Sequence, residues 1–157
     1  MAYGKLNEQG QLISANTQLD DSFQELSLFE IKDEDGNRTG EYYDFYNQDL
    51  TPDTEKIQAL AVLKMIADGE KLVEGHVQLE VLKYNEANGV RFTNVDSCAK
   101  YISIESYPHV DFCKAIVEFN ALCWTAARDA QADGSVDLDT TEDEFKAMLP
   151  VYTVEGE

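Results

Sequence analysis

The sequence predicts an α+β fold: N-terminal β-hairpins, then an antiparallel meander packed against a long amphipathic helix, with a short C-terminal helix. Three observations carry this. Before residue 50, apolar and aromatic runs are short and separated by turn-forming residues. Residues 76–107 contain stretches in which apolar and polar side chains alternate. Residues 109–131 repeat apolar side chains at three- and four-residue spacing. At 157 residues the chain suits one domain, 1–157, with a sub-boundary near 47–51.

The first hairpin is expected at residues 2–15. Tyr3 to Leu6 and Gln11 to Ser14 flank the turn-forming Asn7-Glu8-Gln9-Gly10. Residues 16–21 read as a polar connector. A second hairpin spans 23–46, with Phe23, Leu26, Leu28, Phe29 and Ile31 on one side. Asp33 to Asn37 form its turn and Glu41 to Tyr46 its aromatic return strand. Such aromatics pair across strands more often than they bind ligands.

A helix follows at 52–68. Thr51 is a good N-cap, Pro52 suits the first turn, and Gly69 is a plausible stop. Ile57, Leu60, Ala61, Leu63 and Ile66 would form its buried stripe. Residues 76–84 then read as a strand with Val77, Leu79 and Val81 facing the core. Val90-Arg91-Phe92 and 100–107 complete the meander. After Pro108 a long helix at 109–131 carries Phe112, Ala115, Ile116, Phe119, Cys123, Ala126 and Ala127 on one stripe, with Trp124 beside it. Thr141 and Glu144 have capping-box spacing, so a short helix is expected at 142–148, ending before Pro150. The tail from Val151 to Glu157 is expected to fray.

Charge narrows function more than any motif does. The chain holds 31 acids and 12 bases, a formal net charge of −19. Apolar residues still make up 43 %, which separates it from a disordered acidic tail. The imbalance is uneven: −8 over residues 1–50, −2 over 51–100 and −9 over 101–157. Phosphate-mediated nucleic-acid binding and an anionic membrane surface are both disfavoured. No apolar run is long enough to span a bilayer, and Met1 to Gly10 lack an apolar signal segment. Partners with basic surfaces, or divalent cations, fit the charge.

The chemical motifs are few. Cys98, Cys113 and Cys123 are odd in number and lack C-x-x-C spacing, so buried free thiols are expected. His76 and His109 belong to no metal-binding pair. The sharpest pattern is calcium-like. In the acidic stretch after the long helix, Asp129, Asp133 and Asp137 fall at loop positions 1, 5 and 9, with Gly134 at 6 and Val136 at 8. Gln131 stands where an acid is usual, and Thr140 where a bidentate Glu is usual. These three aspartates are the only metal-ligand candidates, and weak ones. No phosphate-binding glycine loop or nucleophile elbow is present, so no catalytic residue and no cofactor are expected.

The two ends carry a resemblance. The opening Tyr3-Gly4-Lys5-Leu6-Asn7-Glu8-Gln9-Gly10-Gln11-Leu12 resembles the start of small bacteriophage proteins encoded among tail and fibre genes. Phe119 to Trp124, with Thr141 to Pro150, is similar to their ending. About a quarter of the chain is covered, and residues 22–105 match nothing in that family. Where the family continues with Ala-Pro after the second strand, Asn16 follows Ala15 here. The resemblance implies a non-enzymatic virion or tail-assembly protein, located in the virion or host cytoplasm. It would work by contact with other phage structural or assembly proteins, as a homo-oligomer or in a multi-copy assembly. It transfers no catalytic residue. Two other readings rest on charge: an acidic inhibitor that mimics nucleic acid and blocks a host DNA-binding or defence enzyme, and a weak calcium-binding module.

Overall fold

A computed structural model describes residues 2–15 and 23–153. The connector expected at 16–21 and the end of the tail, 154–157, lie outside the described residues. The fold is mixed α and β, with small antiparallel sheets near the N-terminus followed by helices. The chain divides into two compact units, Met1–Leu63 and Lys64–Glu157.

In the first unit, Tyr3–Leu6 (β1) pairs antiparallel with Leu12–Ala15 (β2), Tyr3 opposite Ala15 and Leu6 opposite Leu12. The turn between them is built by Asn7, whose side-chain oxygen accepts the amides of Gln9 and Gln11 at 3.0 and 2.9 Å. Gly10 has φ +80°, and a Cβ there would stand 2.6 Å from the Tyr46 carbonyl oxygen. Only glycine meets both demands. Gln24–Glu25 (β3) adds a third strand against β1.

The second expected hairpin is present but shorter and differently placed. Leu26–Phe29 turn as a 3₁₀ segment instead of extending. Glu30–Lys32 (β4) then pairs with Arg38–Tyr42 (β5). The turn is the expected one: Asp33 accepts the amides of Asp35 and Asn37, and Gly36 has φ +81°. The expected return strand over 41–46 breaks after Tyr42, because Tyr46 is drawn inward. Its hydroxyl donates to the Phe29 carbonyl and accepts the Tyr43 amide, and its ring meets Phe29 edge-on at 5.3 Å.

The largest correction concerns residues 54–109. The sequence suggests a helix ending at Gly69 and then a meander. Instead one helix, Thr54–Asn88 (α1), runs through the expected strand at 76–84. Asp53 rather than Thr51 stands at its start, accepting the Lys56 amide at 3.3 Å. Gly69 lies inside the helix, where a Cβ would come within 3.7 Å of the Phe145 ring. Val73, Val77 and Val81 are buried at four-residue spacing, while Leu79 is half exposed. The apparent alternation of Val77, Leu79 and Val81 is therefore a helix with apolar residues on two faces. Leu60 and Leu63, expected in the core, are exposed.

The other meander strands are also absent among the described residues. Val90-Arg91-Phe92 is a connector held by Asn85, whose side chain bonds both the amide and the carbonyl of Phe92. Val95–Ala99 (α2) is a short helix capped by Asn94 and Ser97. Residues 100–109 pass through successive turns, closed by amide-to-carbonyl bonds from Ile104 to Tyr101 and from Tyr107 to Ile104. The aromatics that suggested strands form a cluster instead. Tyr101 stacks on Tyr107 at 4.3 Å, and Tyr84 on Phe112 at 3.6 Å.

Val110–Ala132 (α3) and Glu142–Met148 (α4) lie where the sequence places helices. The core of the second unit joins Val73, Val77 and Val81 of α1 to Cys98, to Phe112, Cys113, Ile116, Phe119 and Cys123 of α3, and to Phe145 and Leu149. Trp124 packs against its edge. The Thr141 hydroxyl accepts the Glu144 amide at 3.2 Å, and the Glu144 carboxylate accepts the Thr141 amide at 2.9 Å. Thr141→Ala removes the first bond and leaves the Glu144 amide without its acceptor, while the residue-141 amide keeps the Glu144 carboxylate. It is expected to cost about 1 kcal/mol in denaturant unfolding.

Candidate functional site

The calcium-like pattern falls on the C-terminal end of α3 and the loop after it. Asp133 caps the helix, and its carboxylate accepts both the amide and the hydroxyl of Ser135. Those two bonds hold its carboxyl below the usual aspartate range. The Asp137 carboxylate accepts the Asp139 amide at 2.9 Å and the Thr140 hydroxyl at 3.2 Å. Thr140 in turn accepts the Asp137 amide at 2.9 Å. Each aspartate thus closes its own local turn. Among the described residues, no three His, Cys, Asp or Glu side chains converge as a metal site. Asp129, Asp133 and Asp137 are therefore not gathered into one cage. Calcium is expected to bind no tighter than roughly 10⁻⁴–10⁻³ M. Calorimetry against calcium, with magnesium as the control, checks this. A micromolar site lost in Asp133→Ala is the contrary result.

The cysteines are buried and free, as their number and spacing suggest. Burial pushes the Cys98 thiol up to about 12 and the Cys123 thiol up to about 11, and raises Cys113. The neighbouring Cys113 thiol adds to the rise at Cys98. A thiol becomes nucleophilic as the thiolate, so these environments suppress reactivity. Iodoacetamide at about pH 8 should leave all three unmodified in the native protein and label all three in denaturant. Fast native labelling, read by intact mass, would reveal an accessible thiolate.

Among the described residues, neither histidine side chain hydrogen-bonds a cysteine. His76 lies on a helix, half-buried, with Nε2 2.8 Å from the Pro150 carbonyl oxygen and its ring beside Phe119. His109 Nδ1 lies 2.8 Å from the Tyr84 hydroxyl. Tyr84 escapes sequence reading because a strand assignment points it away from residues 109 and 112. Its position seven residues after Val77 and three after Val81 was the available helical signal.

Among the described residues of the second unit lie two depressions. One, of about 260 Å³, is lined by Met65, Ile66, Val73, Trp124 and Phe145, with Glu70 and Arg128 also on its wall. The other, about 510 Å³, is more polar and lies along α1, α2 and α3. Neither brings a nucleophile together with an activating base.

No protein-family profile, no curated protein and no solved structure matches the chain. Among the described residues, no helix is long and apolar enough to cross a membrane.

Proposed function

We propose that this chain is a non-enzymatic accessory protein of a bacteriophage particle or of tail assembly, acting in the virion or host cytoplasm through protein–protein contacts. The observation that supports it is apolar surface left outside the core. Leu28, Leu63, Leu79, Leu82 and Leu122 each keep more than half of their surface exposed. Single exposed leucines are ordinary, but Leu79 and Leu82 share one face of a helix whose opposite face is the core, and contiguous apolar surface marks contact sites. The phage context rests on the resemblance of the two ends. The charge of −19 keeps such a surface soluble before assembly.

Mass spectrometry of gradient-purified particles, with electron microscopy of particles made without the gene, tests the proposal. The chain should be found in particles, or its loss should leave tails missing or malformed. Normal, infectious particles that neither contain nor need it overturn the reading. Salt-sensitive recovery of a host DNA-binding enzyme would favour the nucleic-acid mimic instead.

A further inference from the structure

We infer that the outer face of α1 is a docking seam for an amphipathic helix of a partner protein whose apolar stripe is flanked by acidic residues. The inference rests on the contact-protein reading above and adds the partner's chemistry.

The seam follows from helical spacing. Opposite the buried Val73, Val77 and Val81, the positions 65, 68, 72, 75, 79, 82 and 86 succeed one another at three and four residues. That is the spacing that keeps one face toward a second helix. They hold Met65, Asp68, Leu72, Gly75, Leu79, Leu82 and Glu86. The apolar part runs from Leu72 to Leu82, about three turns. Leu79 is 51 % exposed and Leu82 53 %, while Leu72 packs partly on the core. On one side, His76 holds Pro150, and the next residue, Val151, is 79 % exposed.

Gly75 shapes the seam. Beyond the helix's own adjoining backbone, no atom of the described residues lies within 4 Å of where its Cβ would stand. It opens on the groove of about 510 Å³ lined by Lys71, Glu74, Gln78, Asn94, Asp96 and Trp124, so the two acids lie on the groove side and not on the seam's flanking positions. A gap between Leu72 and Leu79 on a heptad face is a hole for a partner's large apolar side chain.

Charge selects the occupant. The positions flanking the seam are 64, 71, 78 and 85 on one side and 69, 76 and 83 on the other. They hold Lys64, Lys71, Gln78, Asn85, Gly69, His76 and Lys83. None is acidic, in a chain with 31 acids. Lys83 is paired with Glu80 at 2.8 Å. Among the described residues, Lys64 and Lys71 have no carboxylate within ion-pair distance. A second copy of α1 would set lysines against lysines or neutral side chains, whichever way it ran. A helix with Glu or Asp at its flanks would meet them with opposite charge, which fixes partner choice in helical pairs. Residues 51–100 hold six of the chain's twelve bases, and this face is where three of them gather.

The test uses the full chain and two labelled synthetic peptides of about four heptads, with leucine on the seam and either glutamate or lysine at every flanking position. Like charges keep each peptide from pairing with itself. Fluorescence anisotropy near physiological salt should show the glutamate peptide binding at least about tenfold more tightly. The net charge of −19 alone favours the lysine peptide, so the two expectations have opposite signs. Leu79→Ser with Leu82→Ser should lose binding while circular dichroism and melting stay unchanged. Lys64→Glu with Lys71→Glu should reverse the preference. Equal binding, preference for the lysine peptide, or binding indifferent to Leu79→Ser overturns the inference. So does a dimer of the chain that Leu79→Ser dissociates, since the seam would then belong to a second copy. Particles that contain the chain while neither peptide binds would sink the seam and leave the phage reading standing; the converse result would do the opposite.

Discussion

Phe119→Ala is expected to destabilise the protein by roughly 3–5 kcal/mol, the range for a large aromatic removed from a packed interior. Phe119 is 5 % exposed and faces the valines of α1 from the middle of α3. Its ring meets Tyr152 edge-on at 5.1 Å and lies 5.8 Å from His76. The truncation therefore loosens three contacts at once: α3 on α1, the Tyr152 segment, and the hold of His76 on Pro150. At this chain length such a loss lowers the melting temperature by roughly 6–20 °C. Phe119→Leu keeps most of the volume and should cost under about 2 kcal/mol. A melting temperature unmoved by Phe119→Ala would remove Phe119 from the core.

The expected effect was legible because the buried residues of α3, from Phe112 to Cys123, recur on one face at three- and four-residue spacing. Its stripe, its length and the capping box of α4 all follow from local rules that tertiary packing did not override. The first turn, built by Asn7 and Gly10, was legible for the same reason. The meander was not. Residues 76–84 satisfy a two-residue period and a four-residue period together, because Val77 and Val81 serve both. Gly69 then argued for a break, since a glycine inside a helix costs about 1 kcal/mol in propensity. Packing overcame that cost: the helix buries Val73, Val77 and Val81 against α3 and Phe145. In the second hairpin, Tyr46 found a better partner in the Phe29 carbonyl than a strand neighbour could offer. Of the candidate site, the sequence named the aspartates but not their use. Whether a carboxylate binds a cation or its own backbone depends on where the neighbouring amides point. The exposed seam was hidden by the same error that made residues 76–84 a strand, because a strand puts Leu79 beside Val77 and Val81.

The contrast between Val77→Asp and Leu79→Asp decides that assignment in solution. Val77 is 1 % exposed, between the equally buried Val73 and Val81. A carboxylate there has no partner and cannot reach water, and a buried unpaired charge is among the few single changes that exceed about 4 kcal/mol. Val77→Asp should leave most of the chain unfolded near neutral pH. Burial raises the carboxyl above its unfolded value in this variant, so the penalty is full at high pH. It shrinks as pH falls through the raised value, where the neutral acid replaces the anion. Leu79 is half exposed on the opposite face, and its replacement loses little more than helix propensity, under about 1 kcal/mol. In a strand the two side chains would share the buried face, and both variants would be ruinous. Urea unfolding of the pair reads the difference directly. Comparable losses would restore the strand and, with it, bury the seam; a folded Leu79→Asp beside an unfolded Val77→Asp places the core on one side of α1 and leaves the other free for a partner.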